Sequence, residues 1–227
     1  FNKYPRMTYL GLYKNEEEKQ NIKIVEKNGI KIAFVSFNQY VNGVTYQKKL
    51  PYMINFHEST MMENMKKARE NADIVIVSCH WGIEYDYYPN TFQKNMAKQL
   101  ADAGADVIIG THPHTLQDVE YIQRADGKRT LVAYSLGNFV SGMLEESCQL
   151  EGMLSFDIEK KKIKNVVFTP LVNYYTLTGK RERHGFSVYR LKDYTNKLVE
   201  KHGFPNLTIS HMKEEVKQKV KNIKIDM

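Results

Sequence analysis

Long hydrophobic runs are missing from this chain. No stretch approaches the roughly 18 consecutive apolar residues of a membrane-spanning helix. The opening FNKYPRMTYL lacks the basic-then-apolar pattern of a signal peptide. Cysteine is scarce: Cys79 and Cys148 are the only two. Such a pair says nothing firm about redox compartment. Cys79 closes an apolar run, where a buried thiol is the usual state, and a bridge between the two stays open as an alternative. No internal repeat or low-complexity tract interrupts the sequence. The 42% hydrophobic and 26% charged residues exclude a disordered chain. At 227 residues the chain can build one large domain or two small ones.

Positive charge is in excess, 33 basic over 26 acidic residues, for a net +7. That balance favours polyanionic partners: nucleic acid, anionic wall polymer, phosphate esters or anionic lipid. The plain alternative is a solubility charge dispersed over the surface. The lysine clusters are short: Lys160-Lys161-Lys162 reads as a hairpin turn, and Lys180-Arg181 with Arg183 as a loop. No nucleic-acid motif is present, so nucleic-acid binding would rest on net charge alone and is set aside.

Apolar alternation on both sides of Asn28-Gly29 predicts a hairpin over residues 21–37. Residues 59–71 are predicted helical, opening at Ser59 or Thr60. Residues 73–78 form a short β-branched strand. Residues 90–103 form an amphipathic helix stopped by Gly104, and 106–109 a second buried strand. This unit predicts a βαβ crossover with parallel strands. Strands follow at 116–123 and 130–136, then a hairpin of 151–159 with 163–173. Helices are predicted at 190–202 and 208–222, the latter a Lys/Glu-rich solvated face.

Two histidine clusters follow the buried strands directly. Cys79-His80-Trp81-Gly82-Ile83-Glu84 leaves the first, and Gly110-Thr111-His112-Pro113-His114 leaves the second. Ligands of open α/β sheets bind beyond the carboxyl ends of strands, so both clusters can face one crevice. In an extended segment residues i and i+2 point the same way. Pro113 is expected to hold His112 extended, so the two imidazoles would converge on one metal or on two. A lone strand-end histidine is more often a hydrogen-bonded structural residue; three at adjacent ends favour a metal or phosphate site.

The runs HWGIEY (80–85), AKQLADAGADVIIGTHPHTLQDVE (97–120) and YSLGNF (134–139) resemble the second half of the CapA-type domain. This is a branch of the calcineurin-like metallophosphoesterases associated with capsule and poly-γ-glutamate synthesis. The KNGIKIAFVSF hairpin is also similar to the family, and the resemblance covers about residues 9–175. It implies an α/β (α+β) fold: a metallophosphoesterase-like two-sheet β-sandwich flanked by helices. Residues 1–175 would be the C-terminal part of that domain and 176–227 its helical extension. The resemblance makes His80, His112 and His114 metal ligands, of Mn, Zn or Fe, with two ions in the complete protein. His80 and His114 would also contact the reacting group. Glu84 would orient a ligand histidine, or be an exposed loop acid. Asn138 would reach the crevice, or merely form a Gly-Asn turn. Gln117 and Glu120 match family positions but support the loop equally well. Trp81 reads as packing; His57, His184, His202 and His211 read as surface or loop residues.

One departure from the pattern is large. The family's first half carries a Gly-Asp and an Asn-His pair, which supply a bridging carboxylate, an amide ligand and a catalytic histidine. This chain contains neither dipeptide. It therefore looks like a C-terminal piece whose expected partner is the N-terminal part of the same protein, and which is inactive alone. The resemblance implies a metal-dependent hydrolase of a phosphorylated substrate. The alternative is a non-catalytic component of the capsule machinery that binds an anionic polymer such as poly-γ-glutamate. Either would work at the cell surface, anchored through an upstream segment.

Overall fold

A computed structural model describes residues 7–39, 58–179, 181–204 and 206–227. His57 and Lys180 lie outside them. After a short helix α1 (Glu16–Gln20), capped by the Asn15 side chain, come β1 (Lys23–Lys27) and β2 (Ile30–Asn38). Lys27 pairs with Ile30, which leaves Asn28 and Gly29 as a two-residue turn with φ of 53° and 73°. That turn needs two left-handed residues, which Asn-Gly supplies most readily.

Then follow α2 (Glu58–Asn71), β3 (Ile74–His80), α3 (Thr91–Asp102), β4 (Val107–Thr111), β5 (Val119–Gln123) and β6 (Arg129–Ala133). They build a six-stranded sheet of order β1-β2-β3-β4-β6-β5. The four central strands run parallel, so their carboxyl ends share one edge of the molecule. A second sheet comprises β7 (Leu150–Glu159), β8 (Lys162–Thr178), β9 (Glu182–Arg190) and the short β10 (Lys224–Ile225). Helices α4 (Asn196–His202) and α5 (Ile209–Lys219) lie between β9 and β10.

Strand alternation divides the core in two. Val75, Val77 and Ile108 face α2 and α3, against Met61, Met65, Met96 and Leu100. Val107, Leu131 and Ala133 face the second sheet, against Leu150, Phe168 and Val172, with Met212 and Val216 from α5. Each of the Val, Leu, Ile, Met and Phe side chains contributes about 1.5–3 kcal/mol when fully buried. The expected architecture, two sheets flanked by helices, is the one observed.

Four local expectations differ from the structure. Arg183, read with Lys180-Arg181 as a loop, lies in β9 (Glu182–Arg190), a stretch otherwise left without a predicted element. This edge strand buries none of its residues fully, so it carries no strong alternation to read. The helix expected at 190–202 is a 3-10 turn, Leu191–Asp193, followed by α4 starting at its Thr195 cap. The final helix ends at Lys219, and its solvated face includes one buried lysine. His202 is not a surface residue: it is 1% exposed, packed among Tyr174, Tyr175, Tyr194 and Phe204. Both cysteines are buried and free, so no bridge joins them.

Candidate metal centre

His80 ends β3 and lies in register with Thr111 at the end of β4. Gly110, next to Thr111, lets the Tyr134 backbone and the Trp81 indole pack directly against β4. A Cβ there would stand 1.9 Å from the Tyr134 carbonyl oxygen and 2.4 Å from the Trp81 indole nitrogen. Trp81 is fully buried and donates to that carbonyl at 2.8 Å, the packing role read from the sequence.

Beyond β4 the chain does not stay extended. His112 has φ of 101° and His114 of 64°, so Pro113 does not hold His112 extended and the two imidazoles do not converge by strand alternation. The segment is a bend whose Pro113 carbonyl accepts from the Tyr85 N–H at 2.8 Å. It leads into Leu116, which bridges to Leu136. Non-glycine residues held left-handed cost roughly 1–3 kcal/mol each, and such strain concentrates at functional sites. Tyr85 (69°) and Phe139 (73°) on the neighbouring loops are left-handed too.

The bend brings the expected residues together. The ring centroids of His80 and His112 are 4.5 Å apart, and those of His112 and His114 6.1 Å. Ligating atoms of Glu84, His112 and His114 all lie within 4.8 Å of one another. Burial, then the neighbouring His80, holds the His112 pKa below the ordinary imidazole range, which keeps it neutral and ready to ligate.

Asn138 reaches the site from the loop after β6. Its amide nitrogen donates to the His114 backbone carbonyl at 3.3 Å, which turns Oδ1 toward the ring. His114 Nδ1–H then donates to that oxygen at 2.6 Å. The bond fixes the tautomer and leaves Nε2 as the free lone pair, as expected around a metal-binding histidine. Glu84 is exposed and stands at the mouth of the cluster. Imidazole and carboxylate donors in this proximity fit a divalent transition metal.

Two layers of support were not read from the sequence. The Asn90–Gln93 capping box of α3 is one. Its Gln93 amide donates to Gln117 Oε1 at 2.8 Å. Gln117 in turn donates to the carbonyls of Asp86 and Tyr88, holding the loop that carries Glu84. The Asn-x-x-Gln spacing was a legible signal for this box. Lys219 is the other: its ammonium donates to the carbonyls of Tyr87 (2.6 Å) and Leu116 (2.8 Å). Glu120, by contrast, stands beside Lys221 at 3.7 Å.

Glu151 lies fully buried beneath the Gly137–Phe139 loop, 3.1 Å from where a Cβ on Gly137 would be. Burial pushes its carboxyl up to about 8. The backbone N–H groups of Phe139 and Asn138 face it and pull the other way, but neither makes a well-formed hydrogen bond. At neutral pH the group is therefore mostly an uncharged acid under the Asn138–His114 pair.

Comparison with known proteins places this site in context. The family model described as bacterial capsule synthesis protein PGA_cap matches residues 2–143. The capsule biosynthesis protein CapA of Bacillus anthracis is 36% identical over 139 residues, 59% of this chain and 33% of that protein. The PGA biosynthesis protein CapA of Bacillus subtilis strain 168 is 31% identical over 160 residues, 70% of this chain and 41% of that one. The matched part of the chain thus spans 33% and 41% of these two relatives' lengths. Among solved structures, the NAD nucleotidase of Haemophilus influenzae aligns with a TM-score of 0.40 at 14% identity, over 90% of this chain and 38% of that one. With more than half of its residues inside the match, this chain belongs to the bacterial capsule synthesis protein PGA_cap family.

Proposed function

We propose that the crevice of His80, His112, His114 and Glu84 binds a divalent metal ion (Mn, Zn or Fe) in a protein of capsule or poly-γ-glutamate biosynthesis, where it serves hydrolysis. The observation that carries this is the clustering of Glu84, His112 and His114 donor atoms within 4.8 Å, beside the His80 ring. A bound ion of this kind lowers the pKa of water toward neutrality and polarises a phosphoryl or carbonyl oxygen. The protein's own part is positional. His112 is held neutral by burial, His114 is fixed in one tautomer by Asn138, and Glu84 contributes negative charge at the mouth. Titration of the chain with Mn²⁺ and Zn²⁺ tests the reading. Binding should weaken more than about tenfold in His112→Ala and His114→Ala, since even outer supporting residues cost 10–100-fold. Equal affinity in wild type and both variants would refute it.

The second reading, a non-catalytic polyanion-binding component of the same machinery, is favoured by the net charge of +7. A phosphodiesterase assay of the full-length protein with added Mn²⁺ or Zn²⁺ separates the two. No helix among the described residues is long and apolar enough to cross a membrane. The cell-surface placement proposed here assigns the anchor to an upstream segment. The N-terminal part of the same protein is the proposed source of further ligands.

A further inference from the structure

The opposite end of the main sheet carries a cleft of about 670 Å³ that the histidine site does not use. It opens below the starts of β3 and β4. Arg69, Arg124, Lys128, Arg129 and Lys160 to Lys162 line it against only Asp73 and Asp106. Seven cations thus face two acids in one recess, in a molecule whose whole excess is +7.

Both acids are already committed. Asp106 takes Arg69 at 2.9 Å, Arg124 at 3.3 Å and the Val75 N–H at 2.8 Å. Asp73 takes Lys161 at 2.7 Å and the Lys31 N–H at 3.0 Å. Among the described residues Lys160 and Lys162 have no ion-pair partner, and Arg129 only stacks on Tyr121, 4.6 Å from its ring centroid. Lys128, with Arg124, is held by Asp126 beside the cleft, at 3.5 and 3.1 Å, so three of the seven cations are left to a ligand.

The lysine turn gives an independent reason to assign this cleft a role. Glu159 pairs with Lys162, so Lys160 and Lys161 form a two-residue turn with φ of 48° and 61°. This is the turn that Asn28-Gly29 makes in the first hairpin of the same chain. There the sequence uses the residues the geometry asks for; here it places two lysines in left-handed backbone. A local conflict of this kind marks positions kept for something other than folding.

We propose that this cleft is a second, metal-independent binding site, for a linear polycarboxylate. Asp73 and Asp106 show how its cations grip carboxylates. An extended chain of carboxylates would continue that pairing onto Lys160, Lys162 and Arg129. The open recess, with exposed lysines on one wall, suits successive charges along a polymer rather than one enclosed ion. The choice of a polycarboxylate over other polyanions rests on the capsule reading above; the existence of the cleft does not.

Lys160→Asn with Lys161→Gly is the decisive variant, because it removes two charges while giving the turn its preferred residues. Anisotropy of labelled polyglutamate is measured with the chain in EDTA, against a control that removes two exposed charges from α4, Lys197→Gln with Lys201→Gln. The turn variant should melt no lower than wild type and bind about five- to tenfold more weakly, with a shallower salt dependence. The α4 control should bind within about twofold of wild type. Equal weakening in both variants would show diffuse surface charge and overturn the proposal. So would binding of polyphosphate or duplex DNA but not of polyglutamate. Loss of polyglutamate binding in EDTA or in His112→Ala would move the polymer to the histidine crevice and overturn it too. Metal titration of His112→Ala reads the metal site separately, so the two readings fail independently.

Discussion

At the scale of single residues, the histidines are the legible part and the buried carboxyl is not. His80, His112 and His114 could be found because each follows an apolar strand directly, and strand ends open onto crevices. What the sequence could not convey was the backbone that makes them converge: Pro113 suggested extension, while His112 and His114 are both left-handed. Glu151 gave no signal at all. It sits in an alternating strand, where an acid reads as an outward residue, yet it is fully buried. Its folded pKa of about 8 stands above the ordinary 4.5. Its contribution to stability is therefore fully present below about pH 4.5 and is lost as pH rises through 8. One pKa unit is worth about 1.4 kcal/mol, so the loss across that window is on the order of a few kcal/mol. Glu151→Gln should flatten the fall in melting temperature between pH 5 and 8. An unchanged profile in the variant would show that Glu151 is not the titrating group.

Elements act on the site from a distance in sequence. α5 was readable as a helix from its periodicity, but its charged residues looked uniformly solvated. One of them, Lys219, is nearly buried and holds the Tyr87 and Leu116 carbonyls, which ties the end of the chain to the loop bearing Glu84. Lys219→Met should leave two carbonyls without partners, at a cost of about 1–3 kcal/mol. Amide exchange should accelerate across residues 84–88, and metal affinity should drop a few-fold rather than vanish. Stability loss without faster exchange there would place the role of Lys219 in packing alone. α4 carries a second hidden group. Burial lowers His202 to about 4 from 6.5, and its Nδ1 lies 2.8 Å from the Tyr194 hydroxyl. Because the folded pKa is depressed, its contribution is present above pH 6.5 and lost as pH falls through 4. Acid unfolding followed by circular dichroism should shift to lower pH in His202→Gln. A shift the other way would contradict the assignment. Neither group was legible, since burial of a polar side chain depends on contacts made across the two sheets.

The whole molecule has two poles, histidines and Glu84 beyond the carboxyl ends of the parallel strands and a cationic cleft beyond the amino ends. The architecture was readable because buried strands and an amphipathic helix alternate so regularly between residues 73 and 111. β9 was not, because an exposed edge strand needs no apolar rhythm. The histidine pole offers one cluster that could hold an ion among the described residues, Glu84 with His112 and His114, and His80 beside it. All of these donors come from the ends of two adjacent strands, so they approach an ion from one side. A pair of ions that clamps both the attacking and the leaving oxygen needs donors from the other side as well. The family resemblance assigns those to Gly-Asp and Asn-His motifs, which these 227 residues do not contain. Purified chain 1–227 should therefore take up about one Mn²⁺ or Zn²⁺ per molecule, measured by elemental analysis after gel filtration. It should also leave bis(p-nitrophenyl) phosphate intact in the same buffer. His112→Ala should abolish the uptake. Two ions per chain, together with turnover that His112→Ala removes, would show that the residues present already complete the site and that no further segment supplies its ligands.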